Sequence, residues 1–161
     1  MNKFKTYLFI ASATVILSAS SAFQRQAIAQ IPSPVYTVPK EPFQKEVIIL
    51  FIAGKQEGFG SFLIPKGKRL IIEHVSACIA LPSGQKILEA RIDVLQAGGG
   101  AQISHYLNTF FAAIAPNGDY FSVSHSLRLY AVGDVRFAFF RTDKISIGQV
   151  NATVSGYLVD L

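Results

Sequence analysis

The stretch from Ser61 to Gln85, S-F-L-I-P-K-G-K-R-L-I-I-E-H-V-S-A-C-I-A-L-P-S-G-Q, constrains the fold more than any other. Pro65-Lys66-Gly67-Lys68 and Pro82-Ser83-Gly84 read as turns, because proline pre-sets φ and glycine enters positive φ without a Cβ clash. Between them Arg69 to Ala80 forms one long extended segment. Its Ile71, Ile72, Val75 and Ile79 suit a central strand better than a helix.

The rest of the chain agrees with a β fold. Its 161 residues, less an export segment, leave one domain. A domain of that size buries roughly 68% of its unfolded surface, so it needs no disulfide staples. At 50% hydrophobic and 16% charged residues, disorder is excluded for most of it. Thirteen Phe and six Tyr, with Gly and Ser between apolar runs, favour strands.

The N-terminus reads as a signal peptide over residues 1–29. Met1 to Lys5 is a basic n-region, Thr6 to about Leu17 an apolar h-region, and Ala27-Ile28-Ala29 an A-x-A cleavage site. The expected mature protein is secreted or periplasmic, touching a membrane only if this segment stays uncleaved. Lys3, Lys5 and Arg25 fall within the segment, so the +5 net charge shrinks to +2 over the body, twelve basic residues against ten acidic. Nucleic acid is excluded as a partner, since it calls for a basic face or stripe.

A Pro-rich extended linker is expected over residues 30–46, with Pro32, Pro34, Pro39 and Pro42, and a β-sandwich over 47–161. Val47 to Ile52 is the first expected strand, Ala53 to Gly60 a glycine-rich loop, and Phe62 to Ile64 a short strand before the long one. Lys86 to Ala97 fits a strand with Leu88, Ala90, Ile92 and Val94 facing the core. It also fits a helix capped at Gly98; the strand is favoured because its neighbours are strands. The single cysteine, Cys78, is expected to be buried between Ala77 and Ile79.

Two strands flank Pro116-Asn117-Gly118-Asp119, a hairpin signal. With Asn117 and Gly118 as the central pair, positions summing to 235 lie opposite each other. Phe110, Ala112, Ile114, Phe121, Val123, Leu127 and Leu129 then face the core. Continuing that register through Gly133 sets Arg136 opposite Tyr130, Ala138 opposite Arg128 and Phe140 opposite Ser126. His105, Phe111, Arg128, Tyr130, Arg136 and Phe140 would thus share one outward face, and aromatic and arginine side chains so clustered make a binding patch. About eight alternating strands separated by turns imply an all-β, antiparallel β-sandwich or jelly roll.

The pattern I-P-x-G-K-R-L-I-I-E-H-V-S-A…L-P-S-G-Q, followed by L-R-L-Y-A and a terminal S-G-Y-L-V-D, resembles a group of secreted bacterial β-sandwich proteins with no named activity. The resemblance spans roughly Phe62 to Asp160 and implies export and a β-sandwich.

Motifs for chemistry are missing. No metal site is expected: the register separates His105 and His125 by five residues on opposite faces, roughly 17 Å, while zinc needs nitrogen ligands at about 2 Å. His125 is expected to be core-facing and hydrogen-bonded. There is no G-x-S-x-G elbow, P-loop lysine or D-x-D-x-D-G loop, and Ser83-Gly84-Gln85-Lys86 matches S-x-x-K without its companion motifs. Glu73 is expected to pair with Arg69, and Glu89 and Asp93 to form a solvated face with Arg91. No cofactor is expected. The function to expect is a non-enzymatic binding or assembly module of the cell envelope, self-associating through the aromatic–arginine face. The alternatives are a lectin-like carbohydrate binder and, behind it, a hydrolase.

Overall fold

A computed structural model describes residues 40–95 and 102–161. The long segment forms β3 (Lys68–Leu81) between two matched turns. Lys68 N–H donates to the Pro65 carbonyl at 3.1 Å and Gln85 N–H to the Pro82 carbonyl at 3.2 Å. Gly67 and Gly84, at φ 78° and 82°, hold the position that a type II turn reserves for positive φ.

β3 lies between β7 (Gly118–Ala131) and β9 (Gly148–Asp160), and β1 (Glu41–Phe51) and β6 (Phe110–Ala115) form the edges of a sheet ordered β1-β9-β3-β7-β6. The second sheet contains β2 (Glu57–Leu63), β4 (Ile87–Leu95), β5 (Gln102–Tyr106) and β8 (Asp134–Arg141), in the order β2-β8-β4-β5. All pairings are antiparallel. With β6 set aside, the two four-strand orders are those of a jelly roll. The all-β sandwich is therefore present, with nine strands among the described residues. Residues 87–95 are strand rather than helix.

Between the sheets lies an apolar interior built from Ile49, Phe51, Leu70, Ile72, Val75, Ile79, Ile92, Val135, Phe137, Phe139, Val150 and Val154, all at most 2% exposed. Burying such side chains is the main stabilising term, roughly 1.5–3 kcal/mol for each large one.

Several expectations need correction, each for a local reason. The linker does not reach 46: β1 begins at Glu41, and Glu41 to Glu46 pair with Leu158 to Thr153 of β9. Pro42 is tolerated because β1 is an edge strand, where a missing N–H breaks no internal ladder. The expected signal segment and residues 30–39 lie outside the described residues, as does the expected Gly98–Gly100 loop.

Cys78 is exposed, not buried. A bulge at Glu73 shifts the alternation of β3, so that Leu70 and Ile72 point inward before it and Val75, Ala77 and Ile79 after it. Cys78 therefore points outward, opposite Ser122 and Asn151. Glu73 stands exposed at the bulge, and no ion pair joins it to Arg69 among the described residues.

A shift between Ile87 and Glu89 likewise turns Leu88 outward, 66% exposed, while Ala90, Ile92 and Val94 are buried as expected. In the β6–β7 hairpin Ala115 pairs with Gly118, so Pro116 and Asn117 occupy the turn and partners sum to 233, then 232 beyond the shift at Ala112. Phe110, Ala112 and Ile114 are exposed at the edge instead of in the core. Finally, β7 and β8 do not pair. Val132 N–H bonds to Leu95 and Ile64 N–H to Gly133, so this connection carries the chain from one sheet to the other.

One buried cation ties the loops at one end. Arg141 is fully buried; its Nη2 donates to the carbonyls of Lys55 (2.9 Å) and Ile52 (3.3 Å), and its Nη1 to Gln85 Oε1 (3.3 Å). Its guanidinium lies 4.9 Å from the centre of the Phe51 ring. Burial pushes its pKa below the ordinary arginine range. Replacing it removes the hydrogen bonds to two loop carbonyls and the partner of the buried Gln85 Oε1, so Arg141→Ala is expected to lower unfolding free energy by about 3 kcal/mol, read from urea denaturation midpoints. The outward placement of Cys78 predicts that its thiol reacts with a maleimide in the native protein as fast as in the urea-unfolded chain. Strong protection in the native state would contradict that orientation.

Candidate functional site

The outer face of the four-stranded sheet gathers aromatic and charged side chains from all four strands. One cross-strand row runs Phe59–Ala138–Arg91–Tyr106. It is flanked by Glu57–Phe140–Glu89 on one side and Ser61–Arg136–Asp93–Ser104 on the other. At about 4.8 Å per strand, the central row stretches roughly 14 Å from Phe59 to Tyr106. Ala138, fully buried, is its floor.

Phe59 reaches this face because of its neighbours. A Cβ on Gly60 would come within 2.6 Å of the Val47 and Ile49 side chains, so β2 approaches β1 through bare backbone there. The large ring between the two glycines, Gly58 and Gly60, is left on the opposite side, 44% exposed. It meets the Phe140 ring edge-on at 6.0 Å, and the Arg136 guanidinium lies 4.1 Å from its centre.

Arg91 is the most constrained group of the row. Its Nη1 donates to Glu89 Oε1 at 2.6 Å, its Nε lies 3.3 Å from Asp93 Oδ1, and its guanidinium sits 5.5 Å from the Phe140 ring centre. Partial burial disfavours its charge, but the Asp93 and Glu89 carboxylates outweigh that effect and hold its pKa above the ordinary arginine range. Asp93 is 1% exposed although it sits on the outer face, covered beside Arg91 and Arg136. The carboxylate thus fixes a cation whose outer side still meets solvent, which is how a planar donor is pre-organised.

Beyond Tyr106 the row opens into a groove of about 580 Å³ lined by Leu88, Glu89, Tyr106, Asn108, Thr109 and Phe110, among others. The groove exists because β5 pairs only with Arg91 to Leu95 of β4. Past Tyr106 the chain crosses to the other sheet, held by Leu107 N–H on the Ala90 carbonyl (2.8 Å) and Asn108 N–H on His125 Nε2 (2.9 Å).

The six residues expected to share one patch are dispersed. Only Arg136 and Phe140 belong to the face just described. Arg128 and Tyr130 stay together on the outer face of the five-stranded sheet, 5.9 Å from guanidinium to ring centre, with Arg128 Nη2 donating to the Tyr157 hydroxyl at 3.2 Å. Phe111 sits at the rim of β6, edge-on to Phe121 at 5.6 Å. His105 pairs with Ile92, not Tyr130, and shares its inward side. His125 pairs with Val75 and is half-buried and hydrogen-bonded as expected, so the two histidines are inward-facing on different sheets rather than on opposite faces of one.

The Arg91 trio was visible as an alternating Glu-Arg-Asp pattern, but its setting was not. Phe59 was hidden in a glycine-rich loop reading, and Tyr106 lay one residue from the histidine assigned outward. A one-residue slip exchanges the two faces of a strand. Among the described residues, no group of three or more His, Cys, Asp or Glu side chains is arranged to hold a metal ion. No protein-family model matches the chain, and no curated protein matches it.

The burial of Asp93 separates it energetically from its exposed counterpart. Asp93→Ala is expected to cost about 2 kcal/mol in urea denaturation because it leaves Arg91 half-paired at a covered site. Glu89→Ala, removing a third-exposed partner, is expected to cost less than about 1 kcal/mol. Equal losses would contradict the placement of the two carboxylates.

Proposed function

We propose that the protein is a non-enzymatic carbohydrate-binding module that acts outside the cytoplasm and holds a neutral polysaccharide across the outer face of its four-stranded sheet. The observation that carries this reading is the cross-strand row Phe59–Ala138–Arg91–Tyr106, in which a fixed guanidinium stands between two exposed aromatic rings. A sugar ring has an apolar C–H face and a rim of hydroxyls, each both donor and acceptor. The rings at Phe59 and Tyr106 suit the first, and Arg91 with Glu89, Asn108 and Thr109 suit the second.

Charge supports an uncharged ligand. Arg91 and Arg136 face Glu57, Glu89, Asp93 and Asp134 on this sheet, so a polyanion finds no net attraction. The N-terminal export signal agrees with a polymer met outside the cell.

Affinity electrophoresis through gels containing neutral polysaccharides tests the reading. The parent protein is expected to be retarded by at least one polymer. Tyr106→Ala and Phe59→Ala are each expected to weaken binding about tenfold, or 1.4 kcal/mol, with unchanged circular dichroism. Mobility unaffected by every polymer, or retardation that survives both substitutions, would overturn it.

A further inference from the structure

Among the described residues the two sheets end in four edge strands, and three are guarded. β1 carries Glu41, Pro42, Lys45 and Glu46; β2 begins with Glu57 and is interrupted by Gly58 and Gly60; β5 has five residues including Gln102, Ser104 and His105. Charges, proline, short length and polar residues are the usual devices against strand addition. β6, one residue longer than β5, carries no charge, proline or polar side chain within its span. It reads Phe-Phe-Ala-Ala-Ile-Ala, with Phe110 58%, Phe111 56% and Ile114 76% exposed. It is also the strand added outside the jelly-roll order, at the end of the larger sheet.

We infer that β6 is a dimerisation strand, pairing antiparallel with β6 of a second copy about a two-fold axis to join the two five-stranded sheets into one of ten strands. The choice of a second copy rests on charge and on facing. An uncharged apolar strand meets no like charge when it meets itself, and offers nothing to draw a charged peptide. Facing selects the register. Phe111 and Ile114 point to the inner side, opposite Phe121 and Asp119, whereas Phe110 and Ala113 point outward, opposite Ser122 and Tyr120. The shift at Ala112 creates that arrangement, because without it Phe111 and Ile114 would lie on different faces.

Full-length antiparallel overlap therefore sets Phe111 of one copy beside Ile114 of the other on the inner side, and Phe110 beside Ala115 on the outer side. Sliding either strand by one residue pairs inner with outer side chains and loses the match. The interface is isologous, as a two-fold dimer requires. Six residues a side place it among small interfaces, so the dimer is weak and concentration-dependent.

Sedimentation of the full chain over a wide concentration series tests this, together with hydrogen exchange of the β6 amides. The expected result is a mass rising from monomer toward dimer, with β6 exchange slowing in parallel. Ala113→Lys, which adds a charge to an outward edge position, should remain monomeric with native circular dichroism. Tyr106→Ala, on the other sheet, should dimerise like the parent. A parent monomeric throughout with concentration-independent exchange in β6, or an Ala113→Lys variant that associates equally, would overturn the inference. So would β6 protection that appears only on adding an unrelated peptide.

Discussion

Everything in this molecule is referred to the double pairing of β3. Both of its edges are hydrogen-bonded, to β7 and to β9, so its backbone polar groups are satisfied while Leu70, Ile72, Val75, Ile79 and Leu81 fill the interior. Unpaired backbone groups at such depth would each cost free energy comparable to a lost hydrogen bond. The strand therefore fixes both the register of its neighbours and which side chains face the core. The bulge at Glu73 is part of that specification, since it decides that Ala77 and Ile79 go inward and Cys78 outward.

What could be read from the sequence was local. The Pro-x-Gly turns, the apolar run of β3 and the alternation in β4 and β9 are short-range patterns, and they led to the right fold class. What could not be read was which strands meet. The two-residue link Val132–Gly133 looks like a hairpin because both flanking strands alternate. Either arrangement buries the same apolar set, and only the hydrogen bonds to Leu95 and Ile64 assign the strands to different sheets. Bulges were equally invisible, and each reversed a face: Cys78 in β3, Leu88 in β4, Phe111 in β6.

The unread strand pairing, with β8 joined to β2 and β4 instead of β7, explains why the expected patch dispersed while its chemical character survived elsewhere. Arginine beside aromatic rings recurs on both outer faces, at Arg136 with Phe59 and at Arg128 with Tyr130. Among the described residues only the four-stranded sheet adds a buried carboxylate, Asp93, which locks Arg91 into the row and gives the face a fixed geometry. The bare backbone of β2 has a related effect, since the same closeness between sheets that excludes a Cβ at Gly60 turns Phe59 toward solvent. Packing inside the sandwich thus sets the pattern displayed outside it.

The central claim is that β8 pairs with β2 and β4, so that the row from Phe59 to Tyr106 is a real cross-strand line. Nuclear Overhauser contacts between backbone protons in an isotopically labelled sample test it most directly. The account predicts cross-strand contacts linking Phe59 to Ala138, Ala138 to Arg91, and Arg91 to Tyr106, with none between Tyr130 and Arg136. A ladder of contacts joining β7 to β8, led by Tyr130 with Arg136, would contradict it.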